Sequence, residues 1–219
     1  MKRRAHEVEE SEAESSGDDR REHAKRPKRF KTYEEVTTKE DLELEMRYVK
    51  EVKHALVRAQ SAEKTQTKPA PLRLGILRTF KLWSIDHVKH CPYEIAPVKY
   101  IEFYNEDPDP LRFTEKQLLT MIDDVTAHVY ILSEDVCRMK MFTPPKHLST
   151  KTHELRTNRG PVYIQFFDNN YLTLKMSREM VFSNLGGPIP KDAPPFFAYY
   201  GICERYMVDK EKKERMKKK

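Results

Sequence analysis

Read from the N-terminus, the chain first becomes periodic at residue 37. Thr37 or Thr38 can accept the first free backbone N–H groups of a helix, and Glu40 and Asp41 stand where a capping box wants an acid. Leu42, Met46, Val49, Val52, Leu56 and Ala59 then recur at three- and four-residue spacing, which predicts one long amphipathic helix over 37–64. Such a stripe has two uses. It lies on the domain beside it, or it serves as a groove ligand or coiled-coil arm for a partner. Residues 65–71 are polar and proline-bearing, the composition of a linker.

Beyond the linker the period shortens to the alternation of strands. Residues 72–83 are apolar with few acids, and 97–104 (PVKYIEFY) are β-branched and aromatic. Glu106-Asp107-Pro108-Asp109-Pro110 stops the second strand, because proline cannot join a ladder of hydrogen bonds. Thr114 caps a short helix with Leu118, Leu119 and Ile122 on one side. Two hairpins follow. Residues 127–132 and 136–142 flank a Ser133-Glu134-Asp135 turn, and 161–167 and 171–175 flank Asp168-Asn169-Asn170, where asparagine tolerates a left-handed backbone. The stretch 143–160 between the hairpins reads as a polar loop. Residues 177–185 read as a short helical or irregular segment, and 196–208 (FFAYYGICERYMV) as the last buried strand. Short strands with turns about every ten residues predict a small β-barrel with helices, an α+β fold that is mainly β.

Composition places this domain between charged ends. Charged residues make up 35% of the 219, and mean hydropathy is −0.81, so part of the chain has nothing to bury. Residues 1–36, rich in Glu, Ser, Lys and Arg, read as a disordered tail. No run approaches the roughly 18 apolar residues that span a bilayer, and the charged start MKRRAHEVEE is unlike a signal peptide, so a soluble intracellular protein is expected. Within the tail, Lys25, Arg26, Lys28 and Arg29 fit a nuclear-import patch.

A net charge of +6 and a pI near 9.0 invite a nucleic-acid reading. The location of the charge changes that. Residues 1–30 carry a net +1 and residues 208–219 a net +4, which leaves +1 for the folded middle. Affinity for phosphates needs clustered cations, and a near-neutral middle gives little net field for that; the tail 209–219 reads first as a solvated helix extension, with RNA contact the lesser reading.

Catalytic chemistry finds little support. Cys91, Cys137 and Cys203 are odd in number and form no CxxC pair, so buried reduced thiols are expected. His87, His90 and Cys91 sit too close together for a four-ligand metal site, and the glycines form no phosphate-cradling loop. The expectation is a noncatalytic protein with no cofactor and no metal.

The order of elements resembles the extended Tudor domain. Residues 125–185 resemble its Tudor part: Val136-Cys137-Arg138-Met139 stands where the family usually has an aromatic-aromatic-Arg-Ala run, and Asp168-Asn169-Asn170-Tyr171 where it typically has Asp-Tyr-Gly-Asn. Residues 72–104 and 114–124 resemble the staphylococcal-nuclease-like, OB-like half and its linker helix, and Pro194-Pro195-Phe196-Phe197-Ala198 the segment that returns to that half. The resemblance implies a peptide reader whose aromatic cage takes a methylated arginine, each well-placed ring contributing roughly 0.5–2 kcal/mol. Phe166 keeps one cage-type ring and Tyr130 can approach it, but Asn169 replaces a cage tyrosine and Tyr171 the asparagine that orients the guanidinium. Arg138 and Asp168 read as a pair pinning two strands. What the resemblance implies is therefore a protein-interaction scaffold with weak or lost methylarginine reading, with an arginine-rich or methylated peptide as partner, in small-RNA silencing or ribonucleoprotein assembly, often in germ granules. The alternative is single-stranded RNA binding by the β surface and the basic tail.

Overall fold

Alternation of apolar and polar residues along eight short segments produces a single antiparallel sheet. The computed structural model describes residues 33–65, 68–74, 78–91, 99–105, 125–131, 134–183 and 188–217. The basic patch at 25–29, the Asp-Pro turn at 106–110 and the helix expected at 114–124 lie outside the described residues. In chain order the elements are α1 (Tyr33–Thr65), β1 (Arg78–Trp83), α2 (Ile85–His90), β2 (Tyr100–Asn105), β3 (Val125–Ile131), β4 (Glu134–Arg138), β5 (His153–Thr157), β6 (Gly160–Gln165), β7 (Tyr171–Ser177), α3 (Arg178–Val181), β8 (Phe196–Cys203) and α4 (Glu204–Lys217). No helix among the described residues is long and apolar enough to cross a membrane.

The strand order is β4-β3-β2-β1-β8-β7-β6-β5, so two four-stranded meanders join where β1 pairs with β8. The opposite seam is bridged just past β4, where Met139 meets Thr157. There the Lys140 amide donates to the Arg156 carbonyl at 2.8 Å, and the Asn158 amide to the Arg138 carbonyl at 3.1 Å. The sheet thus curls into a nearly closed up-and-down barrel.

Eight strands enclose an interior that side chains just fill. Phe80, Leu82, Ile101, Phe103, Val129, Ile164, Leu172, Leu174, Phe197 and Tyr199 occupy it, all buried. Phe103 meets Phe80 edge-on at 6.0 Å and Phe166 at 5.9 Å. Gly201 marks the tightest approach: a Cβ there would stand 2.7 Å from Leu172 Cδ1 and 3.3 Å from Leu82 Cδ2.

Helix α1 covers the outer face of β1, β8 and β7. Val52 and Ala55 pack on Phe167, Tyr171 and Ile202, with Tyr48, Leu56, Trp83, Tyr200, Tyr206 and Met207 around them. This second layer explains why β7 is buried on both faces from Tyr171 to Leu174. The docked face is rotated from the expected stripe: Val49 and Val52 are buried, but Glu45 turns inward while Met46 is 52% exposed.

Three further differences from the sequence reading have local causes. The stretch 143–160, read as a loop, contains β5, whose Leu155 and Thr157 face inward while Glu154 and Arg156 face solvent. It is held by β6 through a hairpin closed by Gly160 at φ +128°, a left-handed conformation that glycine adopts without steric cost. The turn expected at 133–135 is shorter, because Glu134 and Asp135 already pair with Ile131 and Tyr130. The last strand stops at Cys203 rather than continuing to 208, and the charged residues from Glu204 form α4, none of them buried.

Gly201→Ala should lower stability by about 1–3 kcal/mol, the usual cost of overpacking a well-filled core. Chemical denaturation followed by tryptophan fluorescence measures it; an unchanged midpoint would contradict the close approach of β7, β8 and β1.

Candidate functional site

The residues singled out for an aromatic cage fall in different surroundings. Phe166 is 1% exposed inside the barrel, against Phe103 and His153. Tyr171 points the other way, beneath α1, where its hydroxyl donates to Glu51 Oε1 at 2.8 Å and its ring meets Tyr206 at 5.4 Å. Burial, together with the hydrogen bonds to Tyr206 and Glu51, pushes the Tyr171 hydroxyl far above its ordinary range. Tyr130 lies on the outer face of β3, stacked on Tyr100 at 4.5 Å. Asn169 clasps the chain after the linker: its Oδ1 accepts from the Arg73 amide at 2.7 Å and its Nδ2 donates to the Pro71 carbonyl at 3.1 Å. The cage expectation is thereby corrected, because strand parity turns Phe166 inward and Tyr171 outward.

The Arg138–Asp168 pair is corrected as well. Asp168 Oδ1 accepts from the Asn170 amide at 2.6 Å and so caps its own turn, while Arg138 is exposed at the end of β4. No ion pair joins the two among the described residues. Of the stripe expected to meet a partner, Val49 is buried, Val52 is covered by the barrel, Leu42 and Leu56 are half-buried, and Met46 faces solvent.

What the sequence did not signal is that α1 is fastened by three carboxylates. Glu45 meets Lys99 Nζ at 2.6 Å, both side chains almost wholly buried, and also accepts from the Ser84 amide. Burial raises the Glu45 carboxyl above its usual range despite Lys99. Glu51 accepts from Tyr171 and takes Lys210 Nζ on both oxygens at 2.8 Å, which raises the Lys210 ammonium. Glu63 accepts from Ser149 Oγ at 2.9 Å and from the Thr150 hydroxyl and amide, and those bonds hold its carboxyl below the usual range.

Next to the Glu45–Lys99 pair lies a closed polar cluster. His87 Nδ1 stands 3.0 Å from the Tyr199 hydroxyl, and both residues have no exposed surface. Burial pulls the His87 imidazole well below its ordinary value and pushes the Cys91 thiol up to about 12. A neutral imidazole and an inert thiol, sealed from solvent, hold the end of the barrel together; they are not placed to meet a substrate. Among the described residues no group of three or more His, Cys, Asp or Glu side chains is arranged to hold a metal.

One accessible feature among the described residues is a cleft of about 490 Å³ between the C-terminal half of α1 and the barrel. One wall is a ribbon in which Pro71 pairs with His147, the Leu72 amide donates to Lys146, and the Leu148 amide donates to Ala70 at 2.8 Å. Ala55, Ala59 and Ala62 give the cleft a floor of methyl groups, and Leu148 and Phe167 an apolar wall. Arg58, Glu63, His147 and Asp168 form its polar rim. Such a volume lies in the range of about 300–1,000 Å³ typical of binding clefts. Only small side chains at those three helical positions leave this space open, and small residues carry no sequence signal of their own. The chain matches no family model, no curated protein and no solved structure.

Two outcomes test this geometry. Glu45→Leu or Lys99→Met alone should each cost about 3–5 kcal/mol, the penalty for leaving one buried charge unpaired, and the double substitution should recover most of the loss. Additive losses in a denaturation double-mutant cycle would show that the two charges are not coupled. The depressed imidazole of His87 contributes stability that is complete above its unfolded value of about 6.5 and is lost as pH falls, at up to about 1.4 kcal/mol per pH unit. His153, likewise lowered by burial, adds to the same slope. Denaturation midpoints between pH 7.5 and 5 should therefore fall, and His87→Phe should flatten the dependence.

Proposed function

We propose that the chain is a noncatalytic protein-interaction module of the Tudor type in which methylarginine reading is lost, and that a partner peptide seats in the cleft beside α1. The cleft itself carries this reading: an alanine floor accepts a side chain of moderate size, and a rim of both charge signs offers hydrogen bonds to an extended backbone. Spending Phe166 on the core and Tyr171 on α1 supports the loss of methyl selectivity, since neither ring face is left for a cation. The setting implied by the resemblance, small-RNA silencing or ribonucleoprotein assembly, belongs to the same proposal.

Single-stranded RNA binding is the second reading, favoured by one arrangement. Lys81 lies beside Tyr100 across the β1–β2 pair, Tyr100 stacks on Tyr130, and α4 begins at Glu204, 3.4 Å from Lys81, with Lys212, Lys213, Arg215 and Lys217 exposed beyond it. Stacked bases and neutralised phosphates would use those two features together.

Ala59→Trp and Ala62→Trp should fill the cleft without changing the melting temperature by more than a few degrees. In quantitative pull-downs from native cells, proteins enriched on the unaltered chain should be lost on both variants, while an unchanged set of partners would overturn the reading. RNA binding, if it occurs, should weaken on removal of residues 211–219 and show a shallower dependence on salt.

A further inference from the structure

Every charged or polar attachment of α1 to the barrel is a contact that another helix can make. The barrel interior is one cluster of buried residues to which, among the described residues, α1 contributes nothing; α1 belongs to a second cluster on the outer face. That outer face is not composed like a barrel exterior. It presents Trp83, Phe167, Tyr171, Tyr200 and Ile202, the aromatic-rich composition of a protein interface. Its fit to α1 is incomplete, for the Trp83 indole N–H is buried beneath Tyr48 with no hydrogen-bond partner. Lys99 and Lys210 complete the face with positive charge at the two places where α1 offers Glu45 and Glu51, six residues apart.

We propose that α1 is a releasable strap that occupies, within the same chain, a docking face for an amphipathic helix of a partner protein that carries carboxylates opposite Lys99 and Lys210. The face selects a helix with apolar residues at three- and four-residue spacing and carboxylates six residues apart. A tethered α1 competes at an effective concentration of about 1 mM, so a free helix of equal affinity gains little until α1 is weakened. Release also dismantles the cleft, whose floor is α1, so the two binding modes exclude each other. The inference rests on the reading of the chain as an interaction module, yet the two fail separately, since Ala62→Trp probes the cleft at a residue outside the cluster that forms this face.

The probe is a fluorescent peptide of residues 39–64, titrated into the full chain and into the full chain carrying Val49→Asp and Val52→Asp. The variant should keep the barrel's near-ultraviolet circular dichroism and bind the peptide at least tenfold more tightly than the unaltered chain. A peptide carrying Glu45→Lys and Glu51→Lys should bind the variant at least tenfold more weakly. Loss of the barrel in the variant, or a folded variant with no gain in binding, overturns the proposal. Native-state hydrogen exchange of the unaltered chain gives an independent check: amides of residues 45–59 should exchange at least tenfold faster than those of β1 and β8. Exchange of all three together at one rate would make α1 an inseparable part of the fold. A dimer of the unaltered chain in light scattering at micromolar concentration, formed by exchange of α1 between copies, would overturn the assignment of the face to a partner protein.

Discussion

The docking of α1 on the outer face of β1, β8 and β7 depends on a buried ion pair. Taking Glu45 and Lys99 out of water costs several kcal/mol per charge, and a 2.6 Å contact with an added bond from the Ser84 amide offsets that cost without making the pair a large net source of stability. Its effect is on register. Val49, Val52, Leu56 and Ala59 repeat nearly every turn, so an apolar row alone would accept a shift of one turn, about 5.4 Å. Such a shift would strand two buried charges. Glu51 against Lys210 and Glu63 against Ser149 repeat the constraint along the helix, and α1 is located by its carboxylates while its apolar residues supply the contact area.

The same division of labour runs through the barrel. Inward residues of eight strands form one core, and outward residues on three of those strands form a second, smaller one beneath α1. Strand β8 serves both, with Phe197 and Tyr199 inside and Tyr200 and Ile202 facing the helix. Gly201 stands between them because no Cβ fits between Leu172 and Leu82. The polar cluster of His87, Tyr199 and Cys91 lies where α2 packs on β8, with His87 against Phe197 and Tyr199, and its burial explains why titratable groups so close together remain chemically quiet.

Much of the barrel was legible because alternation is a local property. PVKYIEFY, PVYIQFF and YLTLK announce β2, β6 and β7 within three residues of their bounds. HELRT does not announce β5, since a single leucine and a threonine face inward and its strand state comes from pairing with β6 across a hairpin and from the closing bridge at Met139. The helix was legible from its spacing, but its docked face was not. Hydropathy favours Met46 as a buried residue, whereas Lys99, distant in sequence, makes Glu45 the better one. The cleft escaped for a related reason: alanines mark it by what they leave empty, and its far wall is a ribbon joining residues 70–72 to 146–148.

Placement also changes the meaning of the basic C-terminus. As a free trailer it would present all its lysines to phosphates. In α4, however, Lys210 is held by Glu51, and Tyr206 and Met207 pack on the α1 side of the barrel, so the first two turns belong to the docked layer. Beyond Lys210, the cations Lys212, Lys213, Arg215 and Lys217 project from the described part of the helix, interleaved with Glu211 and Glu214. A lysine already paired with a carboxylate must lose that partner before it can neutralise a phosphate, which lowers its worth to an RNA ligand. The positive end of the chain thus acts first on Glu51 of the chain's own helix α1. Any event that frees α1 also frees Lys210, linking exposure of the aromatic face to a gain of positive charge beside it.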